Sequence, residues 1–412
     1  MLIEILLAIL LGILFGIFTG LVPGIHINLI GTFLISLSTS LLFKIPAIYL
    51  AVFITSMAIT HTFVDFIPSI FLGCPDTDTE LSILPGHELL KKGLGYEAIL
   101  LTNQGSLAAI FILLLIAFPS IFLISKTNNL IQILIPYILI FASTFLVFSE
   151  KNKFNALLVF FLSGFLGFCV LNLSSINQPL FPLLTGLFGS SMLILSIKNK
   201  FKIPKQKITK PKTKYFKPLL GALIASPLCS FLPGLGSGQA AIIGNSISNS
   251  KLKIFSVFDK NQTQTNKKGF LILLGATNTL VMGFSFISLY VISKARTGAA
   301  IAILEIIGNL SWKILVLILF TTLISGVFSF FITKKLAKIF SQKIEKINYT
   351  KLSLLTLIFL AIIVFLISGF FGFLILIVST LTGIYCISLK VRRTNMMGCL
   401  LLPTIILYLF SA

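Results

Sequence analysis

Apolar runs long enough to cross a bilayer follow one another along almost the whole chain, starting with LIEILLAILLGILFGIFTGL at 2–21. About 20 apolar residues carry a helix across the hydrocarbon core. On that measure the predicted spans are 1–22, 25–43, 46–73, 98–124, 130–148, 154–172 and 178–197, then 218–232, 235–249, 269–292, 298–332, 353–368, 370–389 and 394–411. The predicted fold class is an all-α polytopic membrane protein with roughly 12–14 transmembrane or re-entrant helices. Composition agrees, because a soluble domain of 412 residues cannot hide a chain that is 57% hydrophobic and 10% charged. No soluble domain of useful size is expected. The first run lacks a basic leader and passes directly into further spans, so it is predicted to be retained and not cleaved.

The net charge of +21 would suggest nucleic acid in a soluble protein. Here the Lys and Arg residues sit in short connectors between apolar runs, which is the footprint of the positive-inside rule. The most basic connector, 198–217, carries nine Lys and no acid and reads as a solvated cytoplasmic linker. Counting spans outward from it puts 74–97, 149–153, 250–268, 334–352 and 390–393 on the same side; the last three are rich in Lys or Arg, and the first two each carry a pair of Lys. The connectors 125–129 and 173–177 fall outside with one Lys between them, and both termini are predicted outside. The five cysteines (74, 169, 229, 386 and 399) form no CxxC and mostly lie in apolar runs, so they read as small core residues.

Two segments recur in order. Leu21-Val22-Pro23-Gly24-Ile25 is echoed by Phe231-Leu232-Pro233-Gly234-Leu235, and Thr60-His61-Thr62-Phe63-Val64 by Thr277-Asn278-Thr279-Leu280-Val281. A weaker echo relates Lys92–Ala98 to Arg296–Ala300. The expected organisation is a first repeat at 1–197, the basic linker at 198–217 and a second repeat at 218–412. The alternating loop charges make the first Pro-Gly pair enter from outside and the second from inside, so the repeats are predicted to be inverted. Inverted repeats with helices broken at matching places mark secondary transporters, with the site near the membrane midplane.

A Pro-Gly inside an apolar run frees backbone groups that lipid cannot satisfy, so it survives only in protein or beside a wet cavity. The helix restarting after each Gly offers a positive N-terminal end to an anion. Pro23, Gly24, His26 and Asn28, with Pro233, Gly234, Gly236, Ser237, Gly238 and Gln239, are therefore the candidate substrate-binding residues. A tight turn between packed helices is the plainer alternative. FLPGLGSGQ at 231–239 lacks the GK[ST] ending of a phosphate loop.

Thr60, His61, Thr62 and Asp65 form the second candidate group. His61 and Asp65 are four residues apart and share a helix face. An intramembrane Asp is costly and points to function by default. It could hold Na⁺ or H⁺, or simply pair with His61 to fix packing. Thr277, Asn278 and Thr279 are its uncharged, oxygen-rich mate, preceded by Gly275. The loop Gly73-Cys74-Pro75-Asp76-Thr77-Asp78-Thr79-Glu80 resembles a calcium loop only in its acids. His26, His61 and His87 with Asp65 show no metal-ligand spacing. HExxH, GxSxG and CxxC are all missing, so no enzyme chemistry is predicted.

Four stretches resemble one known family: GIFTGLVPGIHIN at 16–28, IPSIFLGCPDTDTELSILPGHELLKKGLGYEA at 67–98, ALIASPLCSFLPGLGSGQAA at 222–241 and LGATNTLVMG at 274–283. They are similar to the large membrane subunit of tripartite tricarboxylate transporters (TctA-type), most of all to its stand-alone archaeal branch. The sequence departs from the family pattern in having Ala-Thr-Asn-Thr where paired Asn is usual, and Asp76, Asp78 and Glu80 where small residues are common. The resemblance implies a cation-coupled importer of carboxylates. It also implies a small membrane subunit and an extracytoplasmic binding protein as partners, or else stand-alone operation.

The predicted function is thus a secondary active permease for a small organic anion. Its coupling ion, Na⁺ or H⁺, would be held by Thr60, His61, Thr62, Asp65, Thr277, Asn278 and Thr279. No cofactor is expected. The rival reading is a flippase for an anionic lipid of polyprenyl-phosphate type, recognised by the same positive helix ends.

Overall fold

The computed structural model describes residues 2–22, 45–73, 79–148, 150, 152–173, 176, 178–198, 204–211, 213–231, 236–248, 264–293, 297–344, 349–391 and 393–410. The described residues are helical almost throughout and contain no strand. Among them, seven helices are long and apolar enough to cross a membrane. The chain is an all-α polytopic membrane protein.

Three helices open the chain: α1 (Leu2–Leu21), α2 (Ala47–Val64) and α3 (Phe66–Leu72). The break between α2 and α3 falls on Asp65 and has a local cause. Pro68 has no N–H, so the carbonyl of Val64 loses its helical donor. The next bond, Ser69 N to Asp65 O, is stretched to 3.4 Å. Short α4 (Ile83–Lys91) follows, then α5 (Gly95–Phe148).

α5 is a single helix of 54 residues, which corrects the two spans and the outside loop at 125–129 that the sequence predicts. The polar stretch there contains neither Gly nor Pro. Ser125 Oγ and Thr127 Oγ1 fold back onto the carbonyls of Phe122 (3.0 Å) and Leu123 (2.8 Å), so their hydroxyls are satisfied without breaking the helix.

Then come α6 (Lys153–Leu171), α7 (Leu180–Leu184), a π-helical stretch (Thr185–Ser190) and α8 (Ser191–Lys198). The second half holds α9 (Phe216–Phe231), α10 (Ser237–Ser248), α11 (Gln264–Ile292), α12 (Gly298–Ile307), α13 (Trp312–Lys343), α14 (Tyr349–Ser388) and α15 (Gly398–Phe410). The long run from 298 is broken at Gly308 (φ 73°), as its Gly-Asn suggests, and α14 is interrupted at Gly369 (φ 66°).

Contact registers fix the helix directions. α1 runs parallel to α2, because β-carbons on Gly12, Gly16 and Gly20 would meet Ser56, Thr60 and Val64 in turn. α13 is parallel to α2 through Ser325–Ser56 and Ser329–Thr60, both 2.9 Å. α5 runs against α13, since Asn103 reaches the Phe330 carbonyl and Ile110 packs on Gly326. α11 is parallel to α5, where Thr102 meets Gly275 and Leu113 meets Gly283. α9 is parallel to α11, with Pro218 at Gly269 and Ser230 on the Val281 carbonyl. So α1, α2 and α13 point one way, and α5, α9 and α11 the other. The pairs that echo each other in sequence, α1–α2 and α9–α11, therefore run antiparallel, the relation that inverted repeats would have.

The copies are also registered alike. Aligning the two Pro-Gly pairs and the two Thr-x-Thr patches equates Gly20 with Ser230 and Val64 with Val281. Gly20 packs on Val64, and Ser230 bonds to Val281.

α9 and α10 form an antiparallel pair, their backbones touching at Gly221 and Gly244. At 16 and 12 residues they rise only about 24 and 18 Å. Over the described residues each is shorter than the hydrocarbon core, about 30 Å.

The described part of the basic linker is mostly exposed, with one buried side chain. Gln206 is buried and caps two helix ends together: its Oε1 accepts from Gly95 N (2.8 Å) at the start of α5, and its Nε2 donates to Leu90 O (3.1 Å) near the end of α4. Lys207 N adds a bond to Gly93 O (2.7 Å). Gln206→Ala is expected to cost about 1–3 kcal/mol by orphaning both ends, read as a lowered unfolding midpoint in detergent.

Candidate functional site

α11 lies at the centre, buried along its whole spanning length. It crosses α2 at the two Thr-x-Thr patches, where Thr62 Oγ1 and Thr279 Oγ1 are 3.1 Å apart. These two threonines hold the same place in the sequence echo between 60–64 and 277–281. Asn278 Nδ2 donates to Asp65 Oδ2 at 2.8 Å and also faces Thr62 O at 3.5 Å. His61 Nε2 is 4.0 Å from the same Asp65 oxygen. His61 Nδ1 meets Thr19 Oγ1 at 3.0 Å, and the Thr19 hydroxyl donates to Gly16 O. Thr60, His61, Thr62, Asp65, Thr277, Asn278 and Thr279 are all buried. The structure brings His61, Thr62, Asp65, Asn278 and Thr279 into one polar centre.

Thr60 and Thr277 belong to its margins. Thr277 bonds only locally, to Leu274 O, among the described contacts. Thr60 turns to α13 and pairs with Ser329. The sequence reading overlooked the hydroxyl ladder of which that pair is part, Ser56–Ser325 and Thr60–Ser329. It also overlooked Thr19 and the α5 residues Asn103 and Ser106, the latter bonded to Gly275 O at 3.0 Å. The available signal was Ser and Thr recurring four residues apart inside apolar runs, at 56/60 and 325/329.

The ends of both repeat-opening helices flank this centre. A β-carbon on Gly20 would stand 3.2 Å from Asp65 N, and Ser230 Oγ lies 3.4 Å from Val281 O, three residues beyond Asn278. Pro23, Gly24, His26, Asn28, Pro233 and Gly234 lie outside the described residues, as do Asp76, Asp78 and Arg296. Gly236 precedes α10, and Ser237, Gly238 and Gln239 form its first turn, with Ser237 and Gly238 buried.

His87 is not part of the centre. It sits on α4, and burial with the positive charge of Lys91 and Arg393 pushes its pKa down to about 4. The folded state therefore resists protonation that the unfolded chain accepts near 6.5. Stability from this residue is complete above that value and falls as the pH drops toward 4. His87→Gln is expected to flatten this part of a stability-versus-pH curve. Among the described residues no cluster of three or more His, Cys, Asp or Glu could hold a metal.

One edge of the core carries two ion pairs. Lys268 Nζ donates to Glu97 Oε1 at 2.5 Å, and Thr209 Oγ1 reaches Glu97 Oε2 at 3.3 Å; Lys267 pairs with Glu88. Glu97 is buried, whereas the Glu88 side chain is 32% exposed. Lys268→Met is expected to destabilise by on the order of 3 kcal/mol, because it strands a buried carboxylate. Lys267→Met should cost under about 1 kcal/mol. Thermal unfolding of the two variants separates them.

The sequence matches the model of the Tripartite tricarboxylate transporter TctA family over residues 6–398. It is 34% identical to an uncharacterized protein of Methanocaldococcus jannaschii over 401 residues, covering 94% of each chain. No solved structure matches it. A family match over nearly the whole chain, carried by an all-helical membrane architecture, makes this protein a member of the tripartite tricarboxylate transporter TctA family.

Proposed function

We propose that the protein is a secondary active permease for a small organic anion of the carboxylate class, driven by a coupling cation. The observation that carries this reading is that the ends of α1 and α9, one from each proposed repeat, flank one buried polar centre. In this reading the substrate is held by positive helix ends around Pro23, Gly24, His26 and Asn28, and around Pro233, Gly234 and Gly236–Gln239. The coupling ion is held by His61, Thr62, Asp65, Asn278 and Thr279, with Thr60 and Thr277 beside them. The halves divide at a cytoplasmic linker, 198–217, in the cell membrane. The partners to seek by co-purification are a small membrane subunit and an extracytoplasmic binding protein, without which the chain works alone.

The test is uptake of labelled mono-, di- and tricarboxylates into proteoliposomes under Na⁺ and pH gradients. Gradient-driven accumulation of one of them supports the reading. Failure of all, together with scrambling of a labelled polyprenyl phosphate, rejects it.

A further inference from the structure

We propose that the linker segment 204–217 is a docking strip for anionic lipid. Its lysines bind acidic headgroups of the surrounding leaflet, and Ile208 and Phe216 lie against the adjoining acyl chains. The proposal goes beyond the transport reading and does not depend on it.

The strip is held in place by bonds to the bundle. Gln206 joins Gly95 N and Leu90 O, and Lys207 N donates to Gly93 O. Thr209 Oγ1 donates to Glu97 Oε2, and the Tyr215 hydroxyl donates to Gln104 Oε1 at 2.7 Å. The linker therefore stays beside the opening turns of α5, residues 95–104, which rise about 15 Å. α9 starts directly after it, at Phe216. The strip thus lies where two membrane helices begin, which is the level of the headgroups.

Around these anchors Lys205, Lys207, Lys210, Lys214 and Lys217 stand exposed. The linker itself has no acid. Glu88 and Glu97, beside its anchor points, are taken by Lys267 and Lys268. None of the five lysines pairs with an acid among the described residues. α13 runs against α5 and brings four more exposed lysines, within 334–343, to the same end. Such a one-signed field attracts anions.

The apolar side chains choose among anions. Ile208 is 46% exposed and Phe216 76% exposed, both within the basic strip. A soluble anion would satisfy the lysines and leave these two in water. A lipid covers both kinds of group, phosphate on the ammonium heads and acyl chain on Ile208 and Phe216. A lysine beside an anionic surface strengthens binding by about fivefold. Lipid held there would clamp the linker onto the bundle at the joint between 1–197 and 218–412.

Photolabelling tests this on the full-length protein. The protein is placed in phosphatidylcholine nanodiscs with a trace of phosphatidylglycerol that carries a photoreactive group near its headgroup, and adducts are mapped by mass spectrometry. Adducts should fall within 204–217. Excess plain phosphatidylglycerol should suppress them, and excess phosphatidylcholine should not. Labelling by the unmutated protein should also fall several-fold at high salt. Changing all five lysines to glutamine should lower labelling more than tenfold, while arginine at the same positions retains it. Lys313→Gln, in the first turn of α13 at the opposite end, should leave it unchanged. Adducts elsewhere, equal competition by phosphatidylcholine, salt-insensitive labelling or full labelling of the glutamine variant overturns the proposal. If soluble glycerol phosphate competes as well as the lipid, the strip takes soluble anions and the lipid assignment falls. Because the salt and competition arms use the unmutated protein, a glutamine variant that fails to fold does not shield the proposal.

Discussion

Asp65→Asn is expected to lower gradient-driven uptake by about a hundredfold or more, the size seen when a positioned acid–base group is removed. The fold should survive. Asparagine has nearly the same shape, and its amide oxygen can still accept from Asn278 Nδ2, which donates to Asp65 at 2.8 Å. What is lost is the carboxylate charge. Asp65→Leu is the informative contrast, because it removes the acceptor as well and leaves Asn278 without that buried partner. Its cost in stability should reach about 1–3 kcal/mol. Uptake and unfolding measured on both variants separate chemistry from packing. Full gradient-driven transport by a folded Asp65→Asn protein would remove Asp65 from the coupling role.

Gly105→Val and Gly275→Val are expected to be among the most destabilising single changes in the core. β-carbons there would stand 2.1 Å from Ile272 O and 2.0 Å from Thr102 O. Both obstacles are backbone atoms of the facing helix, so no rotamer change relieves them. Overpacking usually costs about 1–3 kcal/mol and more where nothing can yield; here α5 and α11 would have to separate. Gly189→Ala is the control, because nothing lies within 4 Å of its β-carbon. A fraction-folded assay in detergent should show near-total loss for the two valine variants and none for the control.

Much of this was legible beforehand because membrane helices announce themselves by length and apolarity. The relative directions of 46–73, 98–124, 218–232, 269–292 and 298–332 agree with the loop-charge count, but that count relies on an outside loop at 125–129 that the continuous α5 replaces. The polar centre was legible as far as Asp65, His61 and the Thr-x-Thr patches, because polar groups in apolar runs stand out. Its cross-bundle partners did not stand out. Ser325, Ser329 and Thr19 gain meaning only from a neighbour 42 to 269 residues away, and single hydroxyls are common in such helices. At 125–129 polarity suggests a break, whereas the hydroxyls there are satisfied within the helix.

The packing also bears on how the protein is made. α2 packs most widely on α1 and on α13 from the other half, while α11 packs most widely on α5 from the first half. Neither half encloses its own polar helix. During synthesis α2 therefore enters the membrane 269 residues before the α13 hydroxyls that satisfy Ser56 and Thr60. A first half expressed alone would leave that face to lipid or to quality control. Two halves encoded separately and cut within the linker should restore a working protein only when they are produced together.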